Sequence, residues 1–99
     1  MGNWIKYKKG VGDACNFFRS SEEAFNGVGQ ELIMLLQVVT DRHTEFVLDG
    51  SNGEPTILDL ETGLPCYKLK LKDIIHPMYL IIIEPSTEND RNDLRLITR

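Results

Sequence analysis

The first stretch of the chain with helical periodicity lies at residues 14–28. Apolar side chains recur there every three or four positions, while polar side chains take the opposite face. Asp13 can act as the N-cap, because its carboxylate accepts the free amide protons of a first turn. Gly27 can end the helix, because glycine adopts the left-handed C-cap conformation at little cost. We therefore predict a helix here, with a competing start at Ser20, which has capping-box spacing to Glu23.

Residues 31–39 fit two different structures. Their leucines have helical spacing, and a helix that begins after Ser20 would extend to residue 39. That helix would contain Gly27 and Gly29, each of which costs about 1 kcal/mol relative to alanine in a helix interior. The segment is also apolar on both faces, as a central strand is. We favour a strand here and keep the longer helix as the alternative.

Beyond residue 43 the pattern is that of successive strands separated by turns. Apolar and polar residues alternate over 44–49, and the Asn52-Gly53 pair that follows is typical of a hairpin turn. The segment 78–84 is apolar on both faces, so we place it in the middle of a sheet or under the helix. A polar linker is expected at residues 86–93. The remaining strands are predicted at residues 4–9, 56–60, 66–72 and 94–98.

Together these elements predict a single small globular domain over residues 1–99, of the α+β class. We expect a mostly antiparallel sheet, small and curled or barrel-like, with one N-terminal helix. A chain of 99 residues is long enough to bury one core. Its longest apolar run, at residues 78–83, is too short to span a membrane, and the N-terminus lacks the apolar stretch of a signal peptide. We therefore expect a soluble, cytoplasmic protein without a membrane partner.

The two cysteines are too few for a disulfide-dense secreted scaffold. We expect Cys15 and Cys66 to be reduced thiols, with a single bridge between them as the alternative. Neither cysteine has the close spacing to the other, or to His43 or His76, that makes zinc sites recognisable. We therefore expect no metal.

Catalytic and cofactor signatures are also weak. Both Gly-x-Gly segments of the chain lack the third glycine of a dinucleotide fingerprint, and neither is a P-loop. Cysteine–histidine pairs and pairs of carboxylates can be drawn in many ways, but their spacing singles out none of them. The sequence therefore favours a protein that is not an enzyme and needs no cofactor.

Charge is the most informative feature. The 15 acidic and 11 basic residues give a net charge of −4, but the two signs are segregated along the chain. Residues 20–66 carry nine acids against Arg42 alone, a local balance of −8, whereas residues 1–19 have a balance of +3. Clustered carboxylates speed association with a positive partner and set partner choice.

These observations favour a non-catalytic protein-binding module. Its acidic middle would dock on a basic surface of another protein, one that handles nucleic acid, and block that surface. Toxin immunity proteins and phage-encoded blockers of host or defence enzymes are similar in size and charge, and the analogy extends no further. The predicted partner-binding residues of this acidic inhibitor are Asp41, Glu45, Asp49, Glu54, Asp59 and Glu61.

A stripe of lysines supports an alternative function. In a strand, Lys68, Lys70 and Lys72 point to one face, while Tyr67 and its alternate neighbours point to the other. Such lysines need solvent, an anionic ligand or acidic neighbours across the sheet, for which Glu45, Asp49 and Asp59 are candidates.

The alternative is therefore a small β domain that binds nucleic acid or another anionic ligand, although the negative net charge disfavours nucleic acid. A third reading is a homo-oligomer that assembles through the apolar strand at residues 78–83. The candidate residues for anion binding are Lys6, Lys8, Lys68, Lys70 and Lys72, with Trp4 and Tyr67 for stacking.

Overall fold

The structure, a computed structural model, describes residues 6–7, 14–18, 21–48, 53–75 and 78–98, and describes side chains at 25–48, 53–72 and 80–98. It confirms the predicted α+β class, with one antiparallel sheet and two helices. In chain order the elements are β1 (Lys6–Tyr7), β2 (Ala14–Phe18), α1 (Ser21–Thr40), β3 (Thr44–Val47), β4 (Thr56–Asp59), β5 (Pro65–Ile75), β6 (Met78–Pro85) and α2 (Glu88–Ile97).

The sheet has the strand order β1-β2-β6-β5-β4-β3, and each neighbouring pair is antiparallel. The described strands form an open sheet with β1 and β3 at its edges, so the barrel-like variant of the prediction is not formed. Strand β6 lies between β2 and β5, which confirms the central position predicted for the apolar segment at residues 78–84. Of the acidic residues, Asp41 lies just before the edge strand β3 and Glu45 lies on it.

Two of the predicted elements in the N-terminal half are wrong. Residues 14–18 form β2, which pairs with β6, and not the first turns of a helix. Residues 31–39 belong to helix α1 and not to a strand. The alternative that placed a helix start after Ser20 is the correct one. Helical spacing prevails over the glycine penalty because Val28, Leu32 and Leu36 form one stripe that is buried against the sheet.

Gly29 explains why a glycine is tolerated inside this helix. A Cβ atom placed on Gly29 would lie 2.5 Å from the ring of Phe46, so only glycine lets β3 approach the helix this closely. Gly27 has no atom within 4 Å of the corresponding position. The residue that argued against the helix is therefore the one that lets the helix pack on the sheet.

The core lies between the two helices and one face of the sheet. Strand β5 contributes Tyr67 and Leu69, which are 0% and 1% exposed, and α2 contributes Leu94. The other buried apolar side chains are Val28, Leu32, Leu35, Leu36, Ile57, Cys66, Ile81 and Ile83. Within the described part of the chain, neither helix is long and apolar enough to cross a bilayer.

The prediction for the C-terminal segment is also wrong. Residues 86–93 are not a linker and residues 94–98 are not a strand, because α2 spans Glu88–Ile97. Thr87 starts this helix with a capping box: its hydroxyl accepts from the Asp90 amide, and the Asp90 carboxylate accepts from the Thr87 amide. The helix carries few apolar residues, all of them in its second half, so its start is marked by the cap alone.

The close approach at Gly29 predicts opposite effects for two glycines in one helix. Gly29→Ala should lower the free energy of unfolding by about 1–3 kcal/mol, because the new methyl group overpacks against Phe46. Gly27→Ala should raise it by about 0.5–1 kcal/mol, because alanine is the better helix former and meets open space. Urea unfolding of the two variants measures both values. Equal stability of the two variants would contradict this packing.

Candidate functional site

The candidate site is organised by a single arginine that binds three aspartates. Arg42 Nη2 lies 2.8 Å from Asp59 Oδ2, and Arg42 Nη1 lies 3.0 Å from Asp90 Oδ1 and 2.9 Å from Asp93 Oδ2. The guanidinium side chain is 20% exposed and that of Asp90 only 7%. These bonds join the segment after α1 to the end of β4 and to α2. We call these four residues the Arg42 cluster; its formal charge is −2.

The electrostatics of the Arg42 cluster keep Arg42 and Asp59 charged. Burial disfavours the guanidinium charge, but the hydrogen bonds of Arg42 to the three aspartates outweigh it and raise its pKa. The hydrogen bond from Arg42 lowers the pKa of Asp59 below its ordinary value of 3.8, against a smaller opposing effect of burial. Backbone amides add to this, because Asp59 Oδ1 accepts from the amides of Glu61 and Thr62 at 2.8 and 3.4 Å. The Asp59 carboxylate is therefore fixed by Arg42 at one oxygen and by backbone amides of the following turn at the other.

Asp90 is fixed just as firmly. Its Oδ2 accepts the Thr87 amide in the capping box at 3.1 Å, and its Oδ1 accepts from Arg42. The hydroxyl of the buried Tyr67 donates to the Asp90 backbone carbonyl. Burial raises the pKa of Tyr67, so the hydroxyl stays protonated and remains a donor. Strand β5, helix α2 and the Arg42 cluster are thus linked through one residue.

The structure brings three of the six predicted partner-binding residues together. Asp41, Asp59 and Glu61 line one surface cleft of about 510 Å³, which also contains Arg42 and His43. Asp41 follows the end of α1 with φ of 61°, a left-handed conformation that aspartate adopts more readily than most residues. Asp41 and Glu61 are exposed. We call this the acidic cleft.

The other three predicted residues do not line the acidic cleft. Glu45 is exposed on the edge strand β3, and Glu54 is half-buried just before β4. Asp49 lies outside the described residues. The predicted set is therefore split. The half that lines the cleft comes from the segment after α1, the end of β4 and the turn that follows β4.

Sequence reasoning missed Asp90 and Asp93. They lie far along the chain from the acidic middle and reach it only because α2 packs against α1 and β6. A second cleft, of about 500 Å³, shares Arg42 and Asp59 with the acidic cleft and also contains these two aspartates. The available signal was Arg42 itself, since the only base in a strongly acidic segment attracts carboxylates. The Thr87–Asp90 capping-box spacing was a second signal.

Cys66 is a buried free thiol at the edge of this second cleft. It is 2% exposed and donates to the Ile57 carbonyl at 3.3 Å. Burial raises the pKa of the thiol to about 12, so it is a poor nucleophile at neutral pH. The alternative of a bridge to Cys15 is wrong. Cys15 on β2 pairs with Ile82 on β6, and Ile82 pairs on its other side with Lys70 on β5, so Lys70 lies two strands away from Cys15. Lys70 is four residues from Cys66, or about 13 Å along β5, beyond disulfide reach.

The lysine stripe has the predicted orientation. Lys70 and Lys72 are exposed and Lys68 half-buried, on the sheet face opposite to the buried Tyr67 and Leu69. The acidic neighbour across the sheet is Glu84, whose Oε1 lies 3.5 Å from Lys70 Nζ, and not Glu45 or Asp59. For Lys6 only the backbone is described, while Lys8 and Trp4 lie outside the described residues.

The chemistry of the site is electrostatic. Among the residues that the structure describes, no group of three or more histidine, cysteine, aspartate or glutamate side chains is placed to hold a metal ion. The chain matches no protein-family model, no curated protein and no solved structure. Its charges and its shape are therefore the features that indicate what the site can do.

The Arg42 cluster predicts a large effect from loss of the arginine. Arg42→Met should lower the free energy of unfolding by about 3 kcal/mol, because Asp90 would be left buried without a counterion. This is the low end of the cost of breaking a buried pair, since Arg42 keeps some solvent contact. The matched control is Lys70→Met, which removes the exposed pair with Glu84 and should cost less than about 1 kcal/mol. Urea unfolding that gives equal losses would contradict the structural role of Arg42.

The lowered pKa of Asp59 predicts a dependence of stability on pH. Because the folded pKa lies below the unfolded value, the carboxylate stabilises the fold above about pH 4, and that contribution is lost as the pH falls through the lowered pKa. Asp59→Asn keeps a hydrogen-bond acceptor but cannot ionise. The difference in unfolding free energy between wild type and Asp59→Asn should be largest near neutral pH and shrink in acid. A difference that is constant with pH would contradict this account.

Proposed function

We propose that the chain is a non-catalytic protein-binding module, an inhibitor that docks on a basic surface of a partner protein through the acidic cleft. The observation that supports this most directly is the convergence of Asp41, Asp59 and Glu61 in one cleft. With Asp90 and Asp93 nearby and Arg42 as the base among them, the formal charge of this region is −4. Such a charge steers a basic partner toward the cleft and sets its orientation.

The carboxylates of the acidic cleft and of the second cleft beside it divide into two groups. Asp59, Asp90 and Asp93 are bonded to Arg42, so a partner would have to break an existing ion pair to use them fully. Asp41 and Glu61 are exposed and have no ion-pair partner among the described residues. A lysine or arginine of the partner can pair with them at no such cost. We therefore assign the direct contacts to Asp41 and Glu61.

The Arg42 cluster prepares this surface before binding. Asp59 holds the turn that carries Glu61 by accepting from the Glu61 and Thr62 amides, and Arg42 anchors Asp59. Little side-chain and loop entropy remains to be lost at the turn when a partner binds, and preorganisation of this kind raises affinity.

The proposed partner is a protein that handles nucleic acid. Such proteins expose lysine and arginine clusters that neutralise phosphates, so they provide the basic surface that this cleft requires. A carboxylate-lined cleft seated on that surface would exclude the nucleic acid. The partner would thus be blocked by competition for its own binding site.

Capture from a lysate of the source organism tests this function. The immobilised chain should retain one stoichiometric protein that survives nuclease treatment. Glu61→Lys should weaken its retention by at least about tenfold, because like charges would then face each other. Glu54→Lys is the matched control: it makes the same charge change outside the cleft and should leave retention within about twofold. Retention that is equally sensitive to both reversals would contradict docking at the acidic cleft.

The exposed lysine stripe favours a second candidate, binding of nucleic acid or another anionic ligand on the open face of the sheet. Replacing Lys68, Lys70 and Lys72 by glutamine should then reduce the slope of single-stranded oligonucleotide affinity against salt by about 0.7 for each lysine. Arg95→Gln, which removes an exposed base on α2, is the control. Captured material that disappears with nuclease would favour this candidate over the inhibitor, whereas a salt slope unaffected by the three replacements would exclude it.

A further inference from the structure

Strand β3 is a free edge next to the acidic cleft. It pairs with β4 on one side and, among the described strands, with none on the other. The chain passes from Asp41 in the acidic cleft to Thr44, the first residue of β3, within three residues. A partner seated on the cleft therefore comes within reach of this edge.

The register shows which backbone groups the edge presents. Leu60 donates its amide to the His43 carbonyl, so the backbone groups of His43 point toward β4. Because these directions alternate along an antiparallel strand, those of Glu45 and Val47 also face β4. The N–H and C=O groups of Thr44 and Phe46 then face outward. They form the hydrogen-bonding row that an added strand would use.

A partly apolar groove lies beside this edge. It has a volume of about 460 Å³ and lies between α1 and the start of β3, with Ile33, Met34 and Thr44 in its wall. Met34 is 44% exposed, which is high for a large apolar side chain. The hydroxyl of Thr44 is buried and finds no hydrogen-bond partner among the described residues. The groove thus offers an apolar contact and one unsatisfied polar group next to the outward backbone row.

The charge around the edge selects the occupant. Glu31 lines the groove and Glu45 is exposed on β3 itself, while no lysine or arginine of the described residues lines the groove. Two copies of the chain joined through this edge would bring their own carboxylates together, which disfavours a symmetric pair. A segment with lysine or arginine side chains has the complementary charge.

The geometry points to β3 as the acceptor of an extended basic segment of the partner protein, added as a seventh strand with one apolar side chain against Met34. Backbone hydrogen bonds at Thr44 and Phe46 supply the pairing, and the carboxylates on either side of the edge select the charge. This inference rests on the proposed function, since it names how the partner binds beside the acidic cleft.

A model peptide tests the inference on the full chain. An acetylated peptide that alternates lysine with valine over the length of one strand should bind and slow amide exchange at Thr44 and Phe46, by about tenfold when about nine-tenths of the chain is bound. The amides of Glu45 and Val47, which already face β4, are internal controls and should change much less. Two-dimensional NMR resolves the four amides individually.

Two further peptides separate pairing from charge. A fully N-methylated version keeps the side chains but has no backbone donor, and a version with glutamate for lysine reverses the charge. Neither should bind measurably if the lysine peptide adds as a strand. Equal binding of the N-methylated peptide would overturn strand addition, and so would binding of the lysine peptide without slower exchange at Thr44 and Phe46. No binding of the lysine peptide would overturn the inference outright.

Two α1 variants test the groove. Met34→Lys should weaken peptide binding by at least about fivefold, through lost apolar contact and charge repulsion. Val38→Lys is the matched control, because Val38 is 72% exposed on α1 and does not line the groove. Equal losses in both variants would place the peptide elsewhere.

The failure of this inference is distinguishable from failure of the proposed function. If the chain retains a partner through Glu61 but the lysine peptide leaves the β3 amides unchanged, the acidic cleft binds without strand addition. If the peptide adds to β3 but no protein is retained from the lysate, the edge exists without the proposed inhibitor function.

Discussion

The hydrogen bonds of Arg42 to three aspartates are the interaction on which the rest of the structure depends. One guanidinium joins the segment after α1, the end of β4 and helix α2, which are distant along the chain. Without that charge, three carboxylates would repel one another in a partly buried setting, and α2 would lose its polar anchor. Leu94, Ile97 and the Tyr67 hydroxyl would then be the main remaining attachments of α2 to the core. Apolar packing and the ion pairs of Arg42 therefore both hold α2 in place.

The same interaction gives the acidic residues two different roles. Three aspartates neutralise Arg42 and hold the architecture, while Asp41 and Glu61 remain exposed at the rim of the cleft. A surface whose carboxylates were all unpaired would carry more charge but would lose more conformational freedom on binding. Arg42 reduces the negative charge of this surface, and its ion pairs fix the positions of the three aspartates. The cleft and the free edge of β3 are then adjacent, and together they form the region where the proposed basic partner would bind.

The sequence predicted the elements whose local pattern agrees with their tertiary environment. The lysine stripe of β5 and the apolar β6 both follow from alternation and burial, and both are confirmed. The sequence left the start of α1 undecided. The cost of Gly29 in a helix interior is visible in the sequence, but the close contact with Phe46 that requires a glycine there is visible only in the folded structure. Helix α2 was missed because a capping box with few apolar residues behind it resembles a linker. Asp90 and Asp93 were not assigned to the site for the same reason, because the packing of α2 is what brings them to Arg42.

The central claim is that a basic partner binds at the acidic cleft and the adjoining edge of β3, and not on the lysine face. Differential hydrogen exchange of the chain alone and in complex with its captured partner tests this most directly. The claim predicts that exchange slows at residues 41–46 and 59–62 and is unchanged at residues 68–72. Slower exchange at residues 68–72, with residues 41–46 and 59–62 unaffected, would contradict it.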